Sequence, residues 1–192
     1  MGLVRQKLRI FTIGHSSRLF DEFLSLLREF KISALIDIRR FPGSRKFPHF
    51  NRQSLEITLP ASGIEYLWLE YLGGRRSGPD LANSLNPGLK SPAFRHYADY
   101  MQTEQFQNAI KQLLLVASLK PAAVMCAEKL FWKCHRRLLS DYLTAQGVQV
   151  EHIIDSARLQ SHKLSEGAVV TPELNVIYRL NDNASGEPKL FD

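Results

Sequence analysis

The stretch Pro121-Ala122-Ala123-Val124-Met125-Cys126-Ala127-Glu128 decides the fold. Pro121 precedes a short apolar run, Ala122 to Cys126, that reads as a strand. A helix from about Cys134 then presents Leu138, Leu139, Tyr142 and Leu143 on one face, and Gly147 closes it as a C-cap. Val148 to Ile154 is the next apolar run. Strand, helix and strand in succession is the repeating unit of a parallel sheet.

The same alternation extends outward. Leu8 to Ile13 reads as a strand, and Phe20, Phe23, Leu24, Leu27 and Phe30 then fall at helical spacing. Asp21 and Glu22 suit that helix's first turn, and Ser16 or Ser17 is expected to cap it. Ala34 to Ile38 and Ile64 to Leu69 read as further strands, with a weaker helix around Gln53 to Leu59. Gly73 to Ser91, rich in Gly, Pro, Asn and Ser, reads as a long loop. Ser91-Pro92 starts a helix carrying Phe94, Tyr97 and Met101. Another helix carries Phe106, Ile110, Leu113, Leu114 and Ala117. The expectation is a single α/β domain over residues 1–162. Its open, mostly parallel sheet has helices on both faces, in Rossmann-like layering. Residues 163–192 read as an irregular, polar extension with one late strand near Val176 to Tyr178.

The chain has 192 residues, 44% hydrophobic and 23% charged, which fits one globular domain. No apolar run approaches the roughly 20 residues that span a bilayer. Met1 to Ile10 lacks an apolar signal core, and Gln6 stands where a myristoylation motif needs Ser or Thr. A cytoplasmic location without membrane attachment is therefore expected. Two cysteines make no disulfide framework, so they read as free thiols, metal ligands or core residues. The net charge of +6 favours an anionic partner, phosphate or nucleic acid.

In an open parallel sheet, ligands bind beyond the carboxyl ends of the strands. Those ends carry Gly14-His15-Ser16, Asp37-Ile38-Arg39-Arg40, Gly73-Gly74-Arg75-Arg76 and Cys126-Ala127-Glu128. Cys134, at a helix start beside Arg136, suits a stabilised thiolate. Cys126 is the alternative nucleophile, with Cys134 resolving it, or else a small core residue. His135, Glu128 and His15 are candidate proton carriers. Asp37 would orient His15 or an arginine, or form a structural ion pair with Arg39. A competing reading makes Cys126, Cys134 and His135, with His15 or His162, ligands of zinc or iron. The cysteine spacing matches no ribbon or finger.

Arg39, Arg40, Arg45, Lys46 and Arg52 are interleaved with Phe41, Phe47, His49 and Phe50. Basic groups neutralise phosphates and aromatic rings stack on bases. Arg75, Arg76, Lys129, Lys133 and Arg137 add to the positive charge. The bland reading is a solvated surface with buried Phe anchors. No dinucleotide fingerprint, P-loop or nucleophile elbow is present. Trp132 stands where a phosphatase-like cysteine loop needs Arg.

Thr12-Ile13-Gly14-His15-Ser16, Asp37-Ile38-Arg39 with Pro42 and Ser44, and Leu72-Gly73-Gly74 resemble the domain of unknown function 488 family. So do Phe94, Tyr97, Ala98, Tyr100 and Met101, and Val150-Glu151-His152-Ile153. Met125 to Arg136 is the strongest part, similar to the family's M-C-A-E followed by C-H-R. The resemblance runs from about Leu8 to His162. It implies one α/β domain and a site with Gly14, His15, Ser16, Arg39, Cys126, Glu128, Cys134, His135 and Arg136. It implies no substrate. Around His162 the chain departs from the family's His-Pro-Leu-Thr stretch. Separately, Leu190-Phe191 resembles the end of sliding-clamp-binding peptides and marks a clamp as a candidate partner.

The functional expectation is an enzyme with an anionic substrate. Cys126, Glu128, Cys134, His135 and His15 would supply chemistry. Gly14, Ser16, Asp37, Arg39, Arg40, Arg45, Gly74, Arg75 and Arg136 would bind substrate. The alternatives are a non-catalytic nucleic-acid-binding module and a thiol- or metal-based sensor.

Overall fold

The structure, a computed structural model, describes residues 7–78 and 81–180. β1 (Arg9–Gly14) leads through α1 (Phe20–Glu29) to β2 (Ala34–Asp37), and α2 (Arg52–Ala61) precedes β3 (Glu65–Trp68). α3 (Pro92–Tyr100) and α4 (Glu104–Leu119) lead to β4 (Ala122–Cys126), and α5 (Arg136–Ala145) joins β4 to β5 (Gln149–Asp155). β6 (Arg158–Ser161), β7 (Ala168–Val170) and β8 (Val176–Tyr178) follow. The main sheet has the order β3-β2-β4-β1-β5-β6. Its first five strands are parallel, and β6 runs antiparallel to β5.

Helices cover both faces, which is why the inner strands are apolar without alternation. On one face α1 and α2 bring Phe23, Leu27, Leu55 and Leu59 onto Phe11, Ile13, Leu35, Ala123 and Met125. On the other, α3, α4 and α5 bring Tyr97, Phe106, Leu113, Leu138 and Tyr142 onto Ile10, Ile36, Val124 and Val150. β1 and β4 are neighbours, yet the chain leaves β1 for β2 on one side and β4 for β5 on the other. Their crossover helices, α1 and α5, therefore diverge on opposite faces. That divergence is a topological switch point, where α/β sheets open a crevice. Gly14 and Cys126 are register partners at its mouth.

Three local expectations differ from the structure. The N-cap of α1 is Leu19, whose backbone N–H donates to the Glu22 carboxylate at 3.0 Å, rather than Ser16 or Ser17. Ser16 instead takes a positive φ of 53° in the turn after β1. β6 has four exposed residues, so no apolar alternation announces it. Residues 163–180, read from sequence as irregular but for one strand, contain the antiparallel hairpin of β7 and β8. Its Tyr178 reaches the core and donates to Asp141 at 2.7 Å. Leu190 and Phe191 lie outside the described residues. Among the described residues, no helix is long and apolar enough to cross a membrane.

Candidate functional site

The carboxyl ends of β1 and β4 are stitched together by backbone bonds. His15 N–H donates to the Cys126 carbonyl at 2.9 Å, and Ser16 N–H to that of Ala127 at 2.8 Å. The approach is so close that a Cβ on Gly14 would sit 1.9 Å from the Glu128 carbonyl oxygen. Gly14 thus makes the turn possible by lacking a side chain.

Cys126 ends β4, partly buried, while Cys134 and His135 are buried just before α5. Nδ1 of His135 lies 3.5 Å from Cys134 Sγ and 3.9 Å from Cys126 Sγ. All three ligating atoms lie within 4.8 Å of one another. Tyr97 meets the His135 ring edge-on at 5.1 Å, and Gly74 lies against its Cγ and Nδ1. A hydrogen bond from the Cys126 thiol, working against burial, holds Cys134 well below the ordinary thiol range, and His135 and Arg136 add to this. Cys126 is raised, first by that same bond and then by burial. The pair therefore favours one thiolate, on Cys134.

A Cβ on Gly74 would fall 2.3–2.7 Å from His135 Cγ, Nδ1 and Cβ, so the ring must move. Gly74→Ala is expected to change the iodoacetamide alkylation rate of the thiol pair several-fold while the far-UV spectrum is retained. A rate equal to wild type would contradict this packing.

A second group supports the site from β1 and β2. Asp37 accepts from Arg39 Nε at 2.9 Å, from Arg39 Nη2 at 2.5 Å and from the Tyr66 hydroxyl at 2.8 Å. Arg39 Nη1 reaches His15 Nε2 at 3.2 Å. His15 Nδ1 lies 2.9 Å from the Ser16 carbonyl, so Nδ1 carries the ring proton and Nε2 accepts from Arg39. Burial first, then the Arg39 charge, lowers the His15 pKa to about 4. The ring stacks on Phe50 at 4.3 Å. For Arg39, burial lowers the pKa, but the Asp37 bonds and charge outweigh it and the net shift is upward.

Arg136 is 1% exposed. It donates to the carbonyls of Glu128 and Lys129 and to Thr12 Oγ1, so it clamps the loop after β4. Among the described residues, no carboxylate pairs with it. Thr12 Oγ1 lies 2.7 Å from His152 Nδ1, His152 Nε2 lies 2.9 Å from His162 Nδ1, and His162 Nε2 lies 2.9 Å from Asp141. Thr12 accepts from Arg136, which frees its own proton for His152. Each histidine can then pass its donor onward to the Asp141 carboxylate. This chain joins two buried charges, Arg136 and Asp141, through three intervening side chains. Phe131 stacks on His152 at 3.4 Å.

The candidate residues named from sequence thus divide. Cys126, Cys134 and His135 come together, with Gly74 and Gly14 as the close-packed glycines. Asp37, Arg39 and His15 form the adjoining ion-pair group. Arg39 and Arg136, expected to bind substrate, are buried; Arg39 donates to Asp37 and the Phe50 carbonyl, and Arg136 donates through Nη1 and Nη2 while its Nε finds no partner among the described residues. Glu128 is exposed, and its carboxylate accepts from the Leu130 N–H at 3.2 Å rather than joining the thiols. Ser16 binds backbone, through its N–H to Ala127 and its carbonyl to His15. Arg40 is half-buried, and Arg45 and Arg75 are exposed. His15 and His162, considered as metal ligands, are engaged elsewhere. Much of the remaining positive charge is also committed: Arg52 to Glu56, Lys129 to Asp155, and Arg137 over the Phe94 ring.

Sequence reasoning missed the Thr12–His152–His162–Asp141 chain. Thr12 and His152 were legible as polar residues inside apolar strands, the one available signal. It also gave Arg76 too small a part. Arg76 lies over the Tyr100 ring at 3.7 Å and donates to the carbonyls of Gly73, Glu70 and Tyr71. From there a cleft of about 540 Å³ extends past Ser84, His96 and Asp99. A cleft of about 670 Å³ lined by Arg9, Lys120 and Gln149 lies at the opposite, amino edge of the sheet, away from the thiols.

No curated protein and no solved structure matches the chain. The model of the family described as "Domain of unknown function DUF488" matches residues 19–143, well over half of the sequence and inclusive of the Cys126–Arg136 segment. The chain belongs to the DUF488 family.

Proposed function

We propose that this protein is an enzyme acting on an anionic, phosphate-containing or nucleic-acid substrate at the carboxyl edge of the sheet. The observation that carries the reading is the convergence of Cys126, Cys134 and His135 at the switch point between β1 and β4. Buried Arg136, which no carboxylate pairs among the described residues, supplies positive potential and holds the loop after β4, while Arg39, neutralised by Asp37, holds the Phe50 carbonyl. In this reading the substrate's charge meets the half-buried Arg40 and the exposed Arg45 and Arg75, and the Arg76–Tyr100 pair walls a neighbouring cleft. Burial strengthens the field of Arg136 relative to water, whereas the exposed arginines act over a range set by salt. Two reduced thiols suit the cytoplasm, where the reading places the protein.

Anion binding is expected to protect the thiol pair. Alkylation by iodoacetamide is followed with inorganic phosphate, mononucleotides or a single-stranded oligonucleotide present. At least one of these is expected to slow labelling several-fold at low salt. The Arg40→Ala, Arg45→Ala, Arg75→Ala triple variant is expected to lose the protection. Unchanged labelling at saturating concentrations of all three probes would overturn the reading.

A further inference from the structure

We propose that Cys126, Cys134 and His135 form a three-ligand site for a divalent ion of the zinc class, with a fourth position left for water or substrate. The proposal deepens the reading of the same site and rests on its thiols being the reactive centre.

Geometry is the first support. Tetrahedral zinc with Zn–S of about 2.3 Å and Zn–N of about 2.0–2.1 Å requires N···S edges of about 3.5 Å and S···S edges of about 3.8 Å. The two N···S separations are 3.5 and 3.9 Å, and no pair in the trio exceeds 4.8 Å. In the metal-free chain the Cys126 thiol and His135 both hydrogen-bond Cys134, which holds the trio together ahead of the ion. Nδ1 has one lone pair or one N–H, and it faces two sulfurs. Thiols are weak donors and acceptors. One cation would satisfy all three atoms together.

Pre-organisation is the second support. Cys126 is fixed by its register with Gly14. Cys134 is fixed by its N–H bond to the Phe131 carbonyl at 3.1 Å and by its carbonyl, which accepts from Arg137 at 3.0 Å. The His135 ring is held between Gly74 and the Tyr97 edge. Among the described residues its Nε2 has no hydrogen-bond partner, so none of them draws the ring away from presenting Nδ1 to the sulfurs.

The donor set selects the ion. Two thiolates and one imidazole suit zinc or its softer neighbours, whereas magnesium and calcium need oxygen ligands. Among the described residues, no carboxylate or further histidine joins the trio. His15 is held by Ser16 and Arg39, and His162 by His152 and Asp141. Three protein ligands with an open fourth position is the arrangement of catalytic zinc rather than of closed structural sites. Two thiolates balance the ion's two charges. Arg136, buried without a carboxylate, then favours an anionic fourth ligand.

The test is titration of the reduced, chelator-stripped chain with cobalt(II), then with zinc(II). One cobalt per chain is expected, with the visible bands of tetrahedral cobalt and a thiolate-to-cobalt charge-transfer band, both bleached by zinc. Cys126→Ser, Cys134→Ser and His135→Ala are each expected to weaken binding roughly 10–100-fold or more, whereas His96→Ala is not. Zinc-edge X-ray absorption on the wild-type chain, expected to show two sulfur neighbours and at least one nitrogen, does not depend on any variant folding. Cobalt bound without charge transfer, no binding, or a zinc shell without sulfur would overturn the proposal. If no metal binds but anions still protect the metal-free thiols, this inference fails and the enzymatic reading stands. If metal binds and anions protect neither form, the reverse holds.

Discussion

Asp37→Ala is expected to destabilise the protein by about 3–5 kcal/mol, the usual cost of stranding one partner of a buried ion pair. Asp37 is fully buried and Arg39 is 6% exposed. Without the carboxylate, Arg39 would keep the Phe50 carbonyl, His15 and Tyr66 as partners, all neutral and none a countercharge. Tyr66 would lose its acceptor as well. The urea midpoint would fall with the slope largely retained. Removing both charges together, as Asp37→Leu with Arg39→Met, is expected to recover most of the loss, because it removes the desolvation penalty too. A double-mutant cycle reports the coupling. If Asp37→Ala cost under about 1 kcal/mol, the pair would behave as a surface bridge does, contrary to its burial.

Acid is expected to destabilise the fold before the carboxylates titrate. His15 is lowered from 6.5 to about 4, chiefly by burial and then by Arg39. His152 is lowered to about 2, by burial, then His162 and Arg136. In the unfolded chain both take up a proton as pH falls through about 6.5. The folded chain does not, so the unfolded state binds more protons, and stability falls with falling pH. The contribution is fully present above 6.5. It drains away between 6.5 and 4 for His15, and from 6.5 toward 2 for His152. Each group gives a limiting slope of about 1.4 kcal/mol per pH unit. Urea midpoints at closely spaced pH values from 7 to 5 would show it, as most carboxylates stay ionised over that range. A flat profile there would mean that neither ring is held neutral.

These expectations separate what was legible in the sequence from what was not. The β4–α5–β5 unit was legible because apolar content and helical periodicity are local properties of the chain. So was the clustering of reactive residues at strand ends, since a parallel sheet sends all its strand ends to one edge. β6 was not legible, because its exposed residues carry no burial pattern. The hairpin of β7 and β8 was half legible, as Val176 to Tyr178 is apolar and buried while β7 is mostly exposed.

Within the site, residue type alone did not show which side chains are buried or what they bond. Arg39 read as a substrate ligand from its place at a strand end, and Arg136 from its place beside Cys134 and the family resemblance; tertiary packing buries both. Glu128 read as a proton carrier because of its proximity in sequence to Cys126, but the turn after β4 sends its carboxylate to Leu130. Thr12, Asp141, His152 and His162 are separated by up to 150 residues and form one chain of hydrogen bonds.

The Ala122–Cys126 stretch determined that Cys126 stands at a strand end, and its succession by a helix and a further strand to Ile154 determined that a parallel α/β sheet forms. Those outcomes follow from hydrophobic period and burial, which act between near neighbours. Only the tertiary structure decided that Cys134 and His135 return to Cys126, that Gly14 and Gly74 leave room for the Glu128 carbonyl and the His135 ring, and that the arginines turn inward. These depend on strand order and on ångström-scale packing between segments far apart in the chain, and no local pattern encodes them.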